Sequence, residues 1–278
     1  MFSLTSTDGE EIVDEEKVAG VFNDFFLSKI MKITDRIDKT LVKNPTEKLE
    51  SKMKSKNVRL ELGKVSQADV LKAMKKLKPK KSAGFDDISQ ELLKSVSNIV
   101  APALTQIINA SITSGIFPEA WKVSKTVPVP KKGDLTKPEN YRPIACVPSA
   151  SKVLESVVLE QLINHFEKGK LLPDSQHGFR KHRSAISALT SMITNILKNY
   201  DDGKHTGILF WDLSAAFDTI DVDLLCRKLS LYGVADKSVR WFKSFLFNRK
   251  QRVQVGKGIS DAASISRGCP QGCLLSPL

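Results

Sequence analysis

Residues 206–221 read TGILFWDLSAAFDTID, and the fold turns on how they are read. The uninterrupted apolar run at 208–211 predicts a buried strand, because four such residues in a row suit a sheet covered on both faces. Asp212 follows at once, so a rigid strand would deliver a carboxylate to a surface. That is the arrangement a divalent cation needs, hard oxygen on a fixed element. The same position after a strand also suits a plain turn or cap residue, and Asp218 and Asp221 follow closely. Asp221 reads as the N-cap of a helix carrying Leu224, Leu225 and Leu229.

Working outward, periodicity predicts a mixture of helices and strands. A helix over 98–114 has Pro102 near its start and Gly115 as its stop. The stretch 121–134, WKVSKTVPVPKKGD, alternates like a strand up to a turn at Gly133. A helix over 149–168 presents Val153, Leu154, Val157, Val158 and Leu162 on one side, and another follows Ser184. Asp236 reads as the cap of a helix bearing Trp241, Phe242 and Phe245. The segments QRVQVG (251–256) and AASISRG (262–268) read as a strand pair. Strands and helices do not alternate strictly, so the fold class is α+β. Upstream, apolar residues at Val18, Val21, Phe22, Phe25, Phe26 and Ile30 form a helical stripe. A Lys-, Thr- and Ser-rich stretch follows to residue 57, so residues 1–56 read as a linker with one amphipathic helix. Ser66 and Asp69 have the spacing of a capping box before a lysine-rich helix.

The 278 residues carry a net charge of +12. Such an excess favours polyanions, since each neutralised phosphate releases counterions. Nucleic acid is preferred to membrane, because no basic amphipathic surface helix with bulky aromatics stands out. The opening MFSLTSTDGEEIVDEE is acidic and unlike a secretory leader. The expected location is therefore intracellular, cytoplasmic or nuclear, with no transmembrane segment. Four cysteines in this length argue against a disulfide framework. Cys269 and Cys273 read as ordinary thiols, and the histidines lack metal-ligand spacing.

Other candidate residues lie in turns. Arg142 in YRPI offers a bidentate fork suited to phosphate. GFRKHRS (178–184) sets Arg180, Lys181 and Arg183 beside Phe179, which suits a nucleic-acid backbone and equally a solvated basic loop. PQG (270–272) is a rigid turn whose Gln271 could bond a base or sugar, or merely close the turn.

The series KSAGFDDIS (81–89), WKVSKTVPVPKKGD (121–134), NYRPIACVPSASKVLE (140–155), SQHGFRKHRSA (175–185), LFWDLSAAFDTID (209–221) and GCPQGCLLSPL (268–278) resembles the reverse transcriptases of non-LTR retrotransposons, in particular the jockey-like elements of arthropods. Any one motif is weak; all of them in this order are specific. The resemblance implies a right-hand fold, with 57–205 forming fingers and 206–278 beginning a palm built on an antiparallel sheet. It implies RNA-directed DNA synthesis by two-metal nucleotidyl transfer, with an RNA template, a DNA primer and deoxynucleoside triphosphates as partners. Asp212 matches the first catalytic aspartate, a ligand of two Mg2+ ions, and the carbonyl of Leu213 matches a further metal ligand. Phe217 matches the aromatic under the incoming sugar. Lys131 or Lys132, with Arg142, match the cations that hold the triphosphate, and Gln271 with Gly272 match the turn against the nucleotide. Arg180, Lys181 and Arg183 match a segment lining the template path. The family's Asp-Asp hairpin has no counterpart in the sequence, so this chain is expected to be an inactive N-terminal fragment with an incomplete palm. The alternative is a nucleic-acid-binding remnant without catalysis. Departures from the pattern are Phe85 for Pro, Asp87 for Gly, Cys273 for Ser and Ser276 for Gly. The first two are expected to loosen their loop.

Overall fold

A computed structural model describes residues 3–5, 10–38, 44–213, 215–270 and 272–277. Strands β1 (Leu4–Thr5) and β2 (Glu11–Ile12) pair antiparallel ahead of α1 (Glu15–Asp38). A helical layer follows: α2 (Glu47–Met53), α3 (Gln67–Lys76), α4 (Gln90–Ser95) and α5 (Ser97–Ser114). Then come β3 (Val123–Pro130), β4 (Tyr141–Cys146), α6 (Ser149–Lys168), α7 (Ala185–Asp201), α8 (Val222–Leu231) and α9 (Asp236–Leu246). The last elements are β5 (Arg249–Val255), β6 (Gly258–Ile259) and β7 (Ala263–Ile265). The α+β class stands, and the principal sheet runs β4-β3-β5-β6, with β7 also on β5.

That sheet is mixed. β3 pairs antiparallel with β4 but parallel with β5, where Val123 faces Lys250 and Thr126 faces Val253. Prolines explain where pairing stops. The parallel ladder ends at Thr126, before Pro128, which has no N–H to donate. Pro128 faces Pro143 across the antiparallel pair, and Pro143 sits on the edge strand, where a missing donor costs least.

Local signals set most helix ends. Ser66 and Asp69 form a reciprocal capping box on α3, and Ser184 with Ser187 forms another on α7. Gly115 ends α5 in the left-handed region. The Asp221 carboxylate accepts the Leu224 amide and caps α8. For α9 the expected cap moves by one residue: Ala235 is the N-cap and Asp236 is the first helical residue.

The helical core centres on Trp241, which lies fully buried against Phe117, Phe242 and Phe245 and donates its indole N–H to Ser111 at 2.9 Å. The turn between α8 and α9 docks on the 58–62 segment. Leu60 donates to the Gly233 carbonyl at 2.8 Å, and a Cβ on Gly233 (φ 82°) would stand 2.0 Å from the Val58 oxygen. No larger residue fits there.

A second core lies under α1. Val18, Ala19, Phe22 and Phe26 pack with Tyr141, Val253 and Val255, so the stripe read from the sequence is covered by the sheet. Asn23 accepts from buried Gln251 at 2.9 Å and donates to the Asp261 carbonyl at 3.1 Å. At the helix start, the Glu15 carboxylate accepts the Lys257 amide at 2.7 Å. α2 is packed as well, with Met53 buried and Glu50 paired to Arg227 at 2.7 Å.

The strand expected at 208–211 does not form. Those residues lie outside any strand and face solvent, with Trp211 85% exposed. The physical reason is the ladder. β5 is occupied by β3 on one side and by β6 and β7 on the other, and the outer edge of β4 carries Pro143. An apolar run without a hydrogen-bonding neighbour cannot hold strand geometry. Helix α7 likewise buries none of its residues, so Ile186, Leu189, Ile193 and Leu197 are exposed.

Candidate functional site

Three sequence-distant motifs converge beside α1. The first is the end of the 206–221 stretch. Asp218 and Thr219 donate their amides to the Ala215 carbonyl in a tight turn, with Ala215 itself at φ 53°. The second is the turn after β7. The Cys269 amide donates to Phe217 at 2.7 Å and the Gly268 amide to Ile220 at 2.9 Å. Gly268 (φ 87°) lies so close that a Cβ would meet the Asp218 backbone at 2.6 Å. The third is β4, where a Cβ on Gly272 (φ 125°) would approach the Ala145 oxygen at 2.5 Å. Glycine is thus required at both contacts that join the motifs.

The resulting cavity, about 270 Å³, is lined by Phe25, Phe26, Lys29 and Ile30 from α1, by Lys131, Tyr141, Arg142 and Pro143, and by Ala215 and Asp218. Arg142 is exposed on β4 opposite Val129. Lys131 is half-buried and donates to the Glu139 carbonyl at 3.0 Å. Its ammonium is held below the ordinary lysine value by burial first, then by the charges of Lys29 and Arg142. Lys132 is exposed, and Phe217, next in sequence to Asp218, is 38% exposed. Tyr141 is anchored on both sides: its ring meets Phe22 edge-on at 4.7 Å and its hydroxyl donates to Leu135 at 3.0 Å. Gln271 lies outside the described residues. Sequence reasoning missed Lys29, whose spacing after Phe25 is helical but whose partners come from strands more than a hundred residues on.

Behind the turn stands Glu155 of α6, 0% exposed. It accepts from the Ser151 hydroxyl at 2.7 Å and from the Leu274 amide at 2.6 Å. Burial pushes its carboxyl above the usual range, against these donors and the charge of Arg249. Arg249 is also buried, under Phe117 and Phe245, with its Nε unpaired. Burial raises the Cys269 thiol to about 11 and that of Cys273 well above its ordinary value, so both are held as neutral thiols.

Asp212 and Leu213 are exposed in irregular chain, not delivered by a strand. Among the described residues no three His, Cys, Asp or Glu side chains converge as metal ligands. The donors present here therefore do not fit the magnesium site that the resemblance implies.

The basic loop is largely committed to its own fold. The Arg180 guanidinium grips Glu167 with two bonds of 3.0 and 2.8 Å and donates to Pro173. Arg183 bonds the carbonyl and carboxylate of Asp174. Lys181 remains exposed. In the 81–89 loop both departing residues have contacts. Phe85 sits under Lys125 and Arg252, at 5.5 and 5.7 Å. Asp87 takes the left-handed turn (φ 53°) that glycine would favour and pairs with Lys125 at 3.6 Å.

Comparison with known proteins bears on the same motifs. The family model described as "Reverse transcriptase (RNA-dependent DNA polymerase)" matches residues 129–278. The chain is 29% identical over 97% of its length to the probable RNA-directed DNA polymerase from transposon BS of Drosophila melanogaster. It is 30% identical over 71% of its length to the corresponding X-element protein, and 29% identical over 78% to that of mobile element jockey, both of the same fly. It spans 29%, 22% and 24% of the lengths of these relatives. The family match covers more than half of the chain and includes the motifs that meet around the cavity, so the chain belongs to the reverse transcriptase family of RNA-dependent DNA polymerases.

Proposed function

We propose that this chain supplies the nucleotide-holding part of an RNA-directed DNA polymerase of a non-LTR retrotransposon. One observation carries the reading: Arg142, Lys131 and Asp218, far apart in sequence, line one small cavity, and Gly268 packs against the Asp218 backbone beside it. Arg142 and Lys131, with Lys132 at the rim, hold the phosphates of an incoming deoxynucleoside triphosphate. Phe217 and Gly272 form the sugar side, the side to which the resemblance also assigns Gln271. The division into 57–205 as fingers, 206–278 as the start of a palm and 1–56 ahead of both belongs to the same reading. So do template contacts by Lys181, with Arg180 and Arg183 shaping its loop.

The family's chemistry uses divalent metal, and the resemblance would assign Asp212 and the Leu213 carbonyl to it, though the described donors do not complete such a site. A single exposed carboxylate in irregular chain is a weak metal site. The expectation is that Arg142→Ala weakens binding of a fluorescent deoxynucleoside triphosphate about tenfold, while primer extension by the chain alone stays at background. Unchanged affinity in that variant sinks the nucleotide assignment, and sustained extension sinks the inactivity.

A second reading is favoured by the charge: Lys75, Lys78, Lys80 and Lys81 are exposed and carry no ion pair among the described residues. In it the chain is a nucleic-acid-binding module without catalysis. Salt-dependent RNA binding that is indifferent to Asp212→Ala, without any nucleotide affinity, would select it.

A further inference from the structure

We infer that Lys29 of α1 is a third phosphate-binding cation, making the N-terminal helix a wall of the nucleotide site. The inference rests on the nucleotide reading above and extends it to a segment outside the family match, which begins at residue 129.

The helix is placed to do this. Phe22 and Phe26 lock its apolar face on the sheet, Asn23 binds Gln251, and Glu15 holds the 256–258 turn, so the helix is fixed over several turns. Lys29 follows Phe25 by one helical turn and therefore shares its side of the helix. Both line the cavity that Lys131 and Arg142 reach from the sheet.

The charges then need a ligand. Among the described residues, three cations and a single carboxylate, Asp218, line this cavity. Neither Lys29 nor Arg142 has an ion pair among the described residues. The crowding is felt at Lys131, where the positive neighbours add to burial in disfavouring the charged form. Gathering like charges without matching acid is costly unless an anion repays it. The anion should be compact, since about 270 Å³ is at the low end for a ligand pocket. A triphosphate chain meets that description, with its sugar and base left toward Phe217.

The test uses the full chain and a fluorescent deoxyadenosine triphosphate, read by anisotropy at low salt, with Lys29→Ala, Lys29→Arg, Lys131→Ala, Arg142→Ala and, as a control on the same helix, Lys32→Ala. Lys29→Ala should weaken binding about tenfold, as one charge-assisted contact is worth. Lys29→Arg should keep most of the affinity, and Lys32→Ala should match the parent. Thermal stability of Lys29→Ala should be unchanged or slightly higher, because repulsion is relieved. Inorganic tripolyphosphate should displace the probe from the parent and far less well from Lys29→Ala. If Lys131→Ala and Arg142→Ala weaken binding and Lys29→Ala does not, the role of Lys29 is overturned and the nucleotide site stands. If no variant changes affinity, the nucleotide reading falls with it. If Lys29→Ala loses affinity for an RNA oligomer while keeping the probe, α1 is a backbone contact instead and the inference fails.

Discussion

Arg180 shows how one side chain can look like a ligand contact and act as a brace. Its sequence neighbours, Phe179, Lys181 and Arg183, make a basic aromatic loop, yet its guanidinium is spent on Glu167. The hydrogen bonds from Arg180 are the largest cause holding the Glu167 carboxyl below its ordinary value. A carboxyl lowered in the folded state stabilises that state above its unfolded pKa and loses the contribution as pH falls through the folded one. Arg180→Ala should therefore lower the melting temperature at pH 6, and the gap to the parent should narrow by pH 3. Melts at both values check this, and a gap that widens in acid would refute it. Asp212 is the reverse case. Its neighbours predict a delivered carboxylate, but delivery needs a strand, and a strand needs a ladder that residue-level pattern does not contain.

At the scale of elements, α1 is the least expected contributor. Its stripe was legible from Val18 to Ile30, but periodicity says only that a face is buried, not against what. The answer lies in β5 and in Tyr141. Phe22 is fully buried and stacks with Phe26 while meeting Tyr141 edge-on. Phe22→Ala should cost about 3–5 kcal/mol by urea denaturation, as for other large aromatics removed from a core. It should also weaken nucleotide binding, since Tyr141 precedes Arg142. A loss below about 1 kcal/mol would mean that α1 is only loosely laid on the sheet. Helices with their own caps, α3, α7 and α8, form where sequence places them because the capping atoms lie within three residues of the helix start.

For the whole molecule, two surface properties stand out. The net charge of +12 suits polyanions. The exposed apolar side of α7, Ile186, Leu189, Ile193 and Leu197, and the bare run at 208–211 are larger than isolated surface hydrophobes. The chain should bind an apolar dye such as ANS and associate with itself as concentration rises. Replacing Leu189 and Ile193 by lysine should reduce both without lowering the melting temperature, since neither residue is buried. Sedimentation and dye fluorescence measure the two effects. A sharp loss of stability would show that α7 is packed in solution.

What could be read along the chain is what short-range physics governs: amphipathic stripes, caps, glycine turns, and motifs whose order marks the family. Those depend on residues within a few positions of one another. What could not be read is which surfaces meet. The seating of α1 on β5, the parallel join of β3 to β5, the gathering of Lys29, Lys131 and Arg142, and the failure of 208–211 to find a neighbour all depend on contacts across a hundred residues or more, as Asn23 to Gln251 illustrates. Hydrophobic burial is non-directional. The pattern states that a face must be covered, and packing and hydrogen-bond pairing choose what covers it.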